Sequence, residues 1–112
     1  MARKAKKNLD YFNLDVTFSD SVRLAAKEIG GANGVCLLIE LWQKIYGSHG
    51  YYMKFDKDSR ILFLDYSIIK IDLHELERCL KIFFERKIFN EKKFNEYQIL
   101  TSDSIQQRYI DI

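Results

Sequence analysis

Residues 72–87 are apolar at helical spacing and run without a break into a strand-like stretch, Ile88–Phe89–Asn90. A polar excursion of about seven residues leads to a second strand-like stretch over 98–101, Gln-Ile-Leu-Thr. Asp72 and Glu75 form a D-x-x-E capping box that opens the helix. Leu73, Leu76, Cys79, Leu80, Phe83 and Phe84 share its inner face. His74, Arg78, Lys81 and Glu85 lie opposite, flanked by Glu75 and Ile82. A helix that feeds a small ribbon restricts what the rest of the chain can be.

The earlier segments supply further helices. Phe12, Leu14, Val16 and Phe18 alternate with polar residues, which predicts an extended segment. Ser19 or Asp20 caps a helix over 20–30 that Gly30-Gly31 ends. Asn33 caps a second helix over 34–46, closed by Gly47. That helix is apolar nearly all round, so it is central; Glu40 and Lys44 mark its thin polar edge, and Trp42 is a core anchor. A turn over 48–50 leads into a strand over 51–55. Residues 60–71 suit a strand or a helix by periodicity, and a helix over 58–67 is favoured, followed by a turn through Ile68–Ile71. Phe94 and Tyr97 allow a helical turn between the ribbon strands 88–90 and 98–101. Ser102 caps a last helix over 102–112, with Ile105, Tyr109 and Ile112 as its stripe. A stripe that reaches the final residue predicts that the natural protein continues.

The expected fold is mainly α with a small β-ribbon (α+β): a winged helix-turn-helix over 9–112, preceded by a flexible basic arm over 1–8. At 112 residues with 47% apolar side chains, one domain can bury a core without staples. No apolar run is long enough for a membrane span and no signal peptide opens the chain, so the expectation is a cytoplasmic protein without membrane contact. Cys36 and Cys79, with His49 and His74, have no metal-ligand spacing, and buried structural thiols are expected. Gly30 to Gly34 lacks the Lys-Ser/Thr of a phosphate loop, no Ser-His-Asp or Cys-His set suggests itself, and 56–59 is only a fragment of a calcium loop. No catalytic activity, metal or cofactor is expected.

Four stretches carry a resemblance: Lys6-Lys-Asn-Leu-Asp-Tyr-Phe-Asn-Leu-Asp-Val16, Ile39-Glu-Leu-Trp-Gln-Lys-Ile-Tyr46, Gly50-Tyr-Tyr-Met-Lys-Phe55 and Ile99-Leu-Thr-Ser-Asp-Ser-Ile-Gln-Gln-Arg-Tyr109. In this order they resemble the N-terminal domain of bacterial and phage replication proteins related to DnaD-type replisome organisers. The resemblance implies a winged helix, a longer parent protein, a helix over 60–67, and a role in starting replication of phage or mobile DNA. Relatives often carry proline where Asn13 stands and a glycine in the bend where Ile68–Ile71 stands. A β-branched run tolerates positive φ poorly, so the geometry of that bend is the open point.

In a winged helix the second helix of the pair enters the major groove and the wing touches the backbone. Here the candidates are His74, Arg78 and Lys81, with Lys92 and Lys93 at the wing tip. Glu75, Glu85, Glu91 and Glu96 dilute them, and the helix face has no Asn or Gln to read bases. The formal charge of +2 conceals an asymmetry, since Arg3, Lys4, Lys6 and Lys7 lie in the arm while residues 8–112 hold 14 basic and 16 acidic side chains. Contact with DNA is therefore expected to be weak, salt-sensitive and largely nonspecific. Ile82 and the stripe Ile105, Tyr109, Ile112 have no obvious core assignment and are the expected protein interface, with Tyr11, Tyr51 and Tyr52 as further anchors. The combined expectation is a DNA-docking and assembly domain that forms homo-oligomers and meets other replication proteins. The alternative is a protein-interaction module with no DNA binding.

Overall fold

The computed structural model describes residues 18–111, and in it the all-apolar segment around Leu38 becomes the central helix. Six helices and one two-stranded antiparallel sheet are found among these residues, in the order α1 Asp20–Ile29, α2 Ala32–Tyr46, β1 Met53–Lys54, α3 Lys57–Tyr66, α4 Leu73–Glu85, α5 Glu91–Tyr97, β2 Ile99–Leu100 and α6 Asp103–Ile110. The chain is thus mainly helical with a small sheet. The arm over 1–8 and most of the expected extended segment lie outside the described residues. No helix among the described residues is long and apolar enough to cross a membrane.

Leu37, Leu38, Leu41 and Ile45 of α2 are buried with Phe55, Phe63, Leu76, Leu80, Phe83, Phe89 and Leu100. This one cluster draws on every helix except α5, whose half-buried Phe94 packs against it. Trp42 is only half-buried at the rim of the core, and Cys36 is half-buried while Cys79 is buried, so the expectation of two buried thiols holds for Cys79 alone. The α1–α2 corner is tight. Ser19 Oγ caps α1 by accepting from the Val22 N–H, and Gly30 ends it at φ 117° with its N–H bonded to the Ala26 and Lys27 carbonyls. α2 then starts at Ala32 after Gly31, without the side-chain cap expected of Asn33. A Cβ on Gly34 would stand 2.9 Å from the Cα and carbonyl oxygen of Ala26, so the two helices cross backbone against backbone.

The bend between α3 and α4 needs no glycine. Asp56 caps α3 through the Ser59 N–H at 2.9 Å, and Asp72 caps α4 through the Glu75 N–H at 2.8 Å. Between them no residue has positive φ; Ser67 is extended at φ −63°, ψ 140°. The bend is instead fastened from below by Glu40 of α2, which is buried. One carboxyl oxygen accepts the Ser67 hydroxyl at 2.5 Å and the other accepts the Ile68 N–H at 3.1 Å, while Ser67 Oγ accepts the Ile69 N–H at 3.0 Å. A side chain that reads as a thin polar edge is an interior strut.

The ribbon is paired differently from expectation. Residues 99–100 pair with 53–54, in the register Met53↔Leu100 and Lys54↔Ile99, and not with 88–90. The Phe55 N–H extends this ladder to the Gln98 carbonyl at 2.7 Å. Residues 88–90 form no strand, and they meet the 98–101 segment through the Asn90 N–H, which donates to the Thr101 carbonyl at 2.8 Å. Two local choices account for this. The chain leaves α4 through Lys87 at φ 62°, which turns Phe89 inward edge-on to Phe83. Asn90 then caps α5 by accepting from the Lys93 N–H at 2.9 Å, and Phe94 packs on Phe84 with ring centroids 5.1 Å apart. The polar excursion is therefore a two-turn helix. Gln106 of α6 closes the other end, donating to the Gly50 and Tyr51 carbonyls at 2.9 and 3.0 Å.

Candidate nucleic-acid interface

His74, Arg78 and Lys81 are all exposed on the outer side of α4, as their spacing predicts. Two cations of this face, Arg78 on α4 and Arg60 beside it, already have acidic partners. Arg78 Nε donates to Glu75 Oε1 at 2.8 Å, one turn earlier, and this bond holds the Glu75 carboxyl below the usual range. The buried Arg60 of α3 lies 3.6 Å from Glu77, donates to the Phe55 carbonyl at 2.9 Å and stands over the Phe94 ring. Lys81 forms no salt bridge with any described residue and borders a cavity of about 320 Å³ between α4 and α5, also lined by Arg60, Glu77 and Asn95. With Glu85 also exposed, the face is close to neutral. The exposed Arg78–Glu75 pair contributes little to stability, and both pairs reduce the charge on offer to a polyanion.

Lys92 and Lys93 sit in the first turn of α5 and not at the tip of a loop, Lys92 exposed and Lys93 half-buried, beside Glu91. Arg3, Lys4, Lys6 and Lys7 lie outside the described residues. Cys79 adds no chemistry to this face: burial, with the neighbouring Glu75, pushes its thiol up to about 11. Among the described residues no group of three His, Cys, Asp or Glu is placed to hold a metal ion.

The expected protein interface requires correction. Ile82 is 8% exposed and Ile105 4% exposed, and both belong to the core. Ile82, Phe83 and Phe84 are consecutive buried residues, and three consecutive helical positions span about 200° of circumference. The second half of α4 is therefore enclosed well beyond the stripe that its inner face defines, because α1 and α3 both pack on it. Tyr51 is also buried, edge-on to Tyr46 and to Tyr109 at 5.1 Å, and Tyr109 is half-buried. Tyr52 is exposed; Tyr11 and Ile112 lie outside the described residues.

Two surface features were not read from the sequence. Ile61, Leu62 and Tyr66 of α3, with Ile68 in the bend, are 43%, 68%, 53% and 79% exposed. Leu62 and Tyr66 are at i,i+4, the spacing that places two side chains side by side on a helix. Lys44 caps the end of the group with its Nζ 3.7 Å from the Tyr66 ring centre. The second feature is a cleft of about 320 Å³ where the N-terminal turns of α1 and α6 meet the end of α4. Arg86, Lys87 and Arg108 line it, and among the described residues no acidic one does. Arg108 stands 21 residues beyond Lys87, so no local motif joins them; only the adjacent Arg86-Lys87 pair is visible in sequence.

This chain belongs to the Lin1244/Lin1753-like N-terminal family, whose model matches residues 11–105. It is similar to the uncharacterised phage-related protein Lin1244/Lin1753 of Listeria innocua serovar 6a, with 35% identity over 111 residues, 97% of this chain. The chain spans 35% of the length of that relative. No solved structure matches.

Proposed function

We propose that this chain is a non-catalytic DNA-docking and assembly domain of a phage-type or mobile-element replication protein, working in the cytoplasm on a winged-helix scaffold of the DnaD N-terminal kind. The observation that carries the reading is the arrangement of α3 and α4. They are two helices joined by a bend of six residues, 67–72, and the second turns His74, Arg78 and Lys81 to solvent. In this reading α4 is the recognition helix and residues 86–101 serve as the wing, with Lys92 and Lys93 on α5. The phage-related description of its relative agrees with this setting.

The weak field of α4 defines the mechanism. One subunit offers Lys81, a partly neutralised Arg78, the lysines of α5 and the four cations of the arm, and this makes a modest, salt-sensitive contact to phosphates. Self-association then presents several such sets to one duplex and raises the overall affinity without new contacts. The exposed α3 group is the assembly surface in this reading, in place of Ile82 and Ile105.

That same group favours one second reading, a protein-interaction module with no DNA binding. A fluorescence-anisotropy titration of duplex DNA at low and moderate salt, with solution mass measured on the same sample, separates the two. Docking predicts salt-sensitive binding that weakens when Arg3, Lys4, Lys6 and Lys7 are replaced by alanine. No binding at low salt, in a sample that is a dimer or larger, leaves only the interaction module.

A further inference from the structure

We infer that the cleft between the N-terminal turns of α1 and α6 is a binding site for a nucleoside phosphate. The charge distribution points there first. The described residues hold 14 basic and 14 acidic side chains, yet three of the basic ones line this cleft and none of the acidic ones does. Glu28 pairs with Arg86 from outside the lining, and Asp20 and Asp103 stand on the first turns of α1 and α6 without entering it.

The helices add to the imbalance. The N-terminal turns of α1 and α6 both face the cleft through Ser19 and Ser21, and through Ser102 and Ser104. A helix N-terminus is a positive pole, so the fold gathers two such poles and three cations into one concavity. Arg108 Nη1 donates to the Tyr46 hydroxyl at 2.8 Å, which leaves the rest of its fork for an oxyanion. Glu28 offsets Arg86 alone, and a phosphate would offset the charge that Lys87 and Arg108 bring to the cleft.

The remaining wall suits what a nucleoside adds. Phe18 and Trp42 line the cleft with ring centroids 6.4 Å apart, and Trp42 is only half-buried, so an aromatic face is available to a base. A volume of about 320 Å³ is at the small end of ligand sites, the size range of one nucleotide. The same chemistry can arrive as a free nucleotide or as the phosphorylated end of a strand.

The experiment is an amide-resolved NMR titration of the 112-residue chain with dAMP, and with one short single strand carrying either a 5′-phosphate or a 5′-hydroxyl. The expected result is movement of the Ser21, Lys87 and Ser104 signals by dAMP, and about tenfold tighter binding of the 5′-phosphate strand, the size of one charge-assisted hydrogen bond. Equal affinity for dAMP and the phosphorylated strand identifies a free nucleotide as the ligand; tighter binding of the strand identifies a strand end. Lys87→Gln, at an exposed side chain, and the double variant with Arg108→Gln should reduce and then remove the 5′-phosphate preference. No movement of these signals, or a preference that survives both variants, overturns the site. Duplex binding by α4 is read with unphosphorylated ends and is unaffected by either outcome.

Discussion

α3 and α4 are neighbours that share one bend and one core, yet their outer faces differ. α3 exposes the apolar Ile61, Leu62 and Tyr66 beside Lys57, Asp58 and Asp65, whereas the exposed residues of α4, His74, Glu77, Arg78, Lys81 and Glu85, are all polar. Packing explains only their inner sides, where Phe63 and Leu76 are buried in the same cluster. The fold asks for one apolar stripe from each helix and is indifferent to the rest. Folding therefore leaves the outer faces free to differ, and the proposed function uses that difference: the apolar group of α3 for assembly, the charged face of α4 for phosphates. Because Glu40 fastens the bend between them, the two faces are held at one fixed angle.

The strongest way to break the comparison is to release that bend. Glu40→Ala removes the acceptor of the buried Ser67 hydroxyl and the Ile68 N–H, and should lower unfolding free energy by about 2–4 kcal/mol in a denaturant titration. Glu40→Gln keeps one acceptor oxygen and should cost less. Gly34→Ala comes next, with an expected loss of about 1–3 kcal/mol by the same assay, because the atoms that must move belong to the backbone of α1.

Substitutions on the outer faces should separate the helices by function while sparing the fold. Leu62→Asp and Ile68→Asp should change stability by no more than about 0.5 kcal/mol. They should shift sedimentation toward the monomer, and an unchanged mass distribution would remove α3 from assembly. Lys81→Ala should weaken duplex binding on every sequence alike and reduce the salt slope by about 1. Glu75→Gln should do the reverse by freeing Arg78, and a weaker duplex affinity in this variant would contradict the docking face.

The smallest expected effect is on acid stability. The Glu75 and Asp56 carboxyls are lowered in the folded state by the Arg78 bond and the Ser59 N–H respectively. Their contribution is therefore complete above the pKa of the unfolded chain, about 4, and is lost as pH falls through the lower folded values. Glu75→Gln should flatten the acid limb of a thermal-melting profile slightly.

Much of this architecture is legible in local sequence because its causes are local. Ser19, Asp72 and Ser102 each cap the helix that their spacing predicts, and the apolar periods of α1, α2 and α4 fix their inner faces. What is not legible depends on distant partners. Strand 98–101 reads the same whether it pairs with 88–90 or with 51–55, and Lys87 and Asn90 decide the matter. Glu40 looks like a surface carboxylate until the bend that it supports, 27 residues later, is in place. Ile82 sits at the flank of a helical wheel, and only the packing of α1 and α3 shows how wide the buried sector is. Of the expected site, the cations of α4 are where their spacing puts them, while the basic cleft joins residues that no pattern links.

The helix at 91–97 has one further consequence. Ordering the backbone of a flexible loop takes about 1–2 kcal/mol per residue at the moment of contact. Because Asn90 and Phe94 hold this segment in shape beforehand, Lys92 is presented as a fixed point of charge and not as a roaming tether. Whatever meets that lysine does so without an ordering penalty, so a contact too weak to organise a loop can still register there.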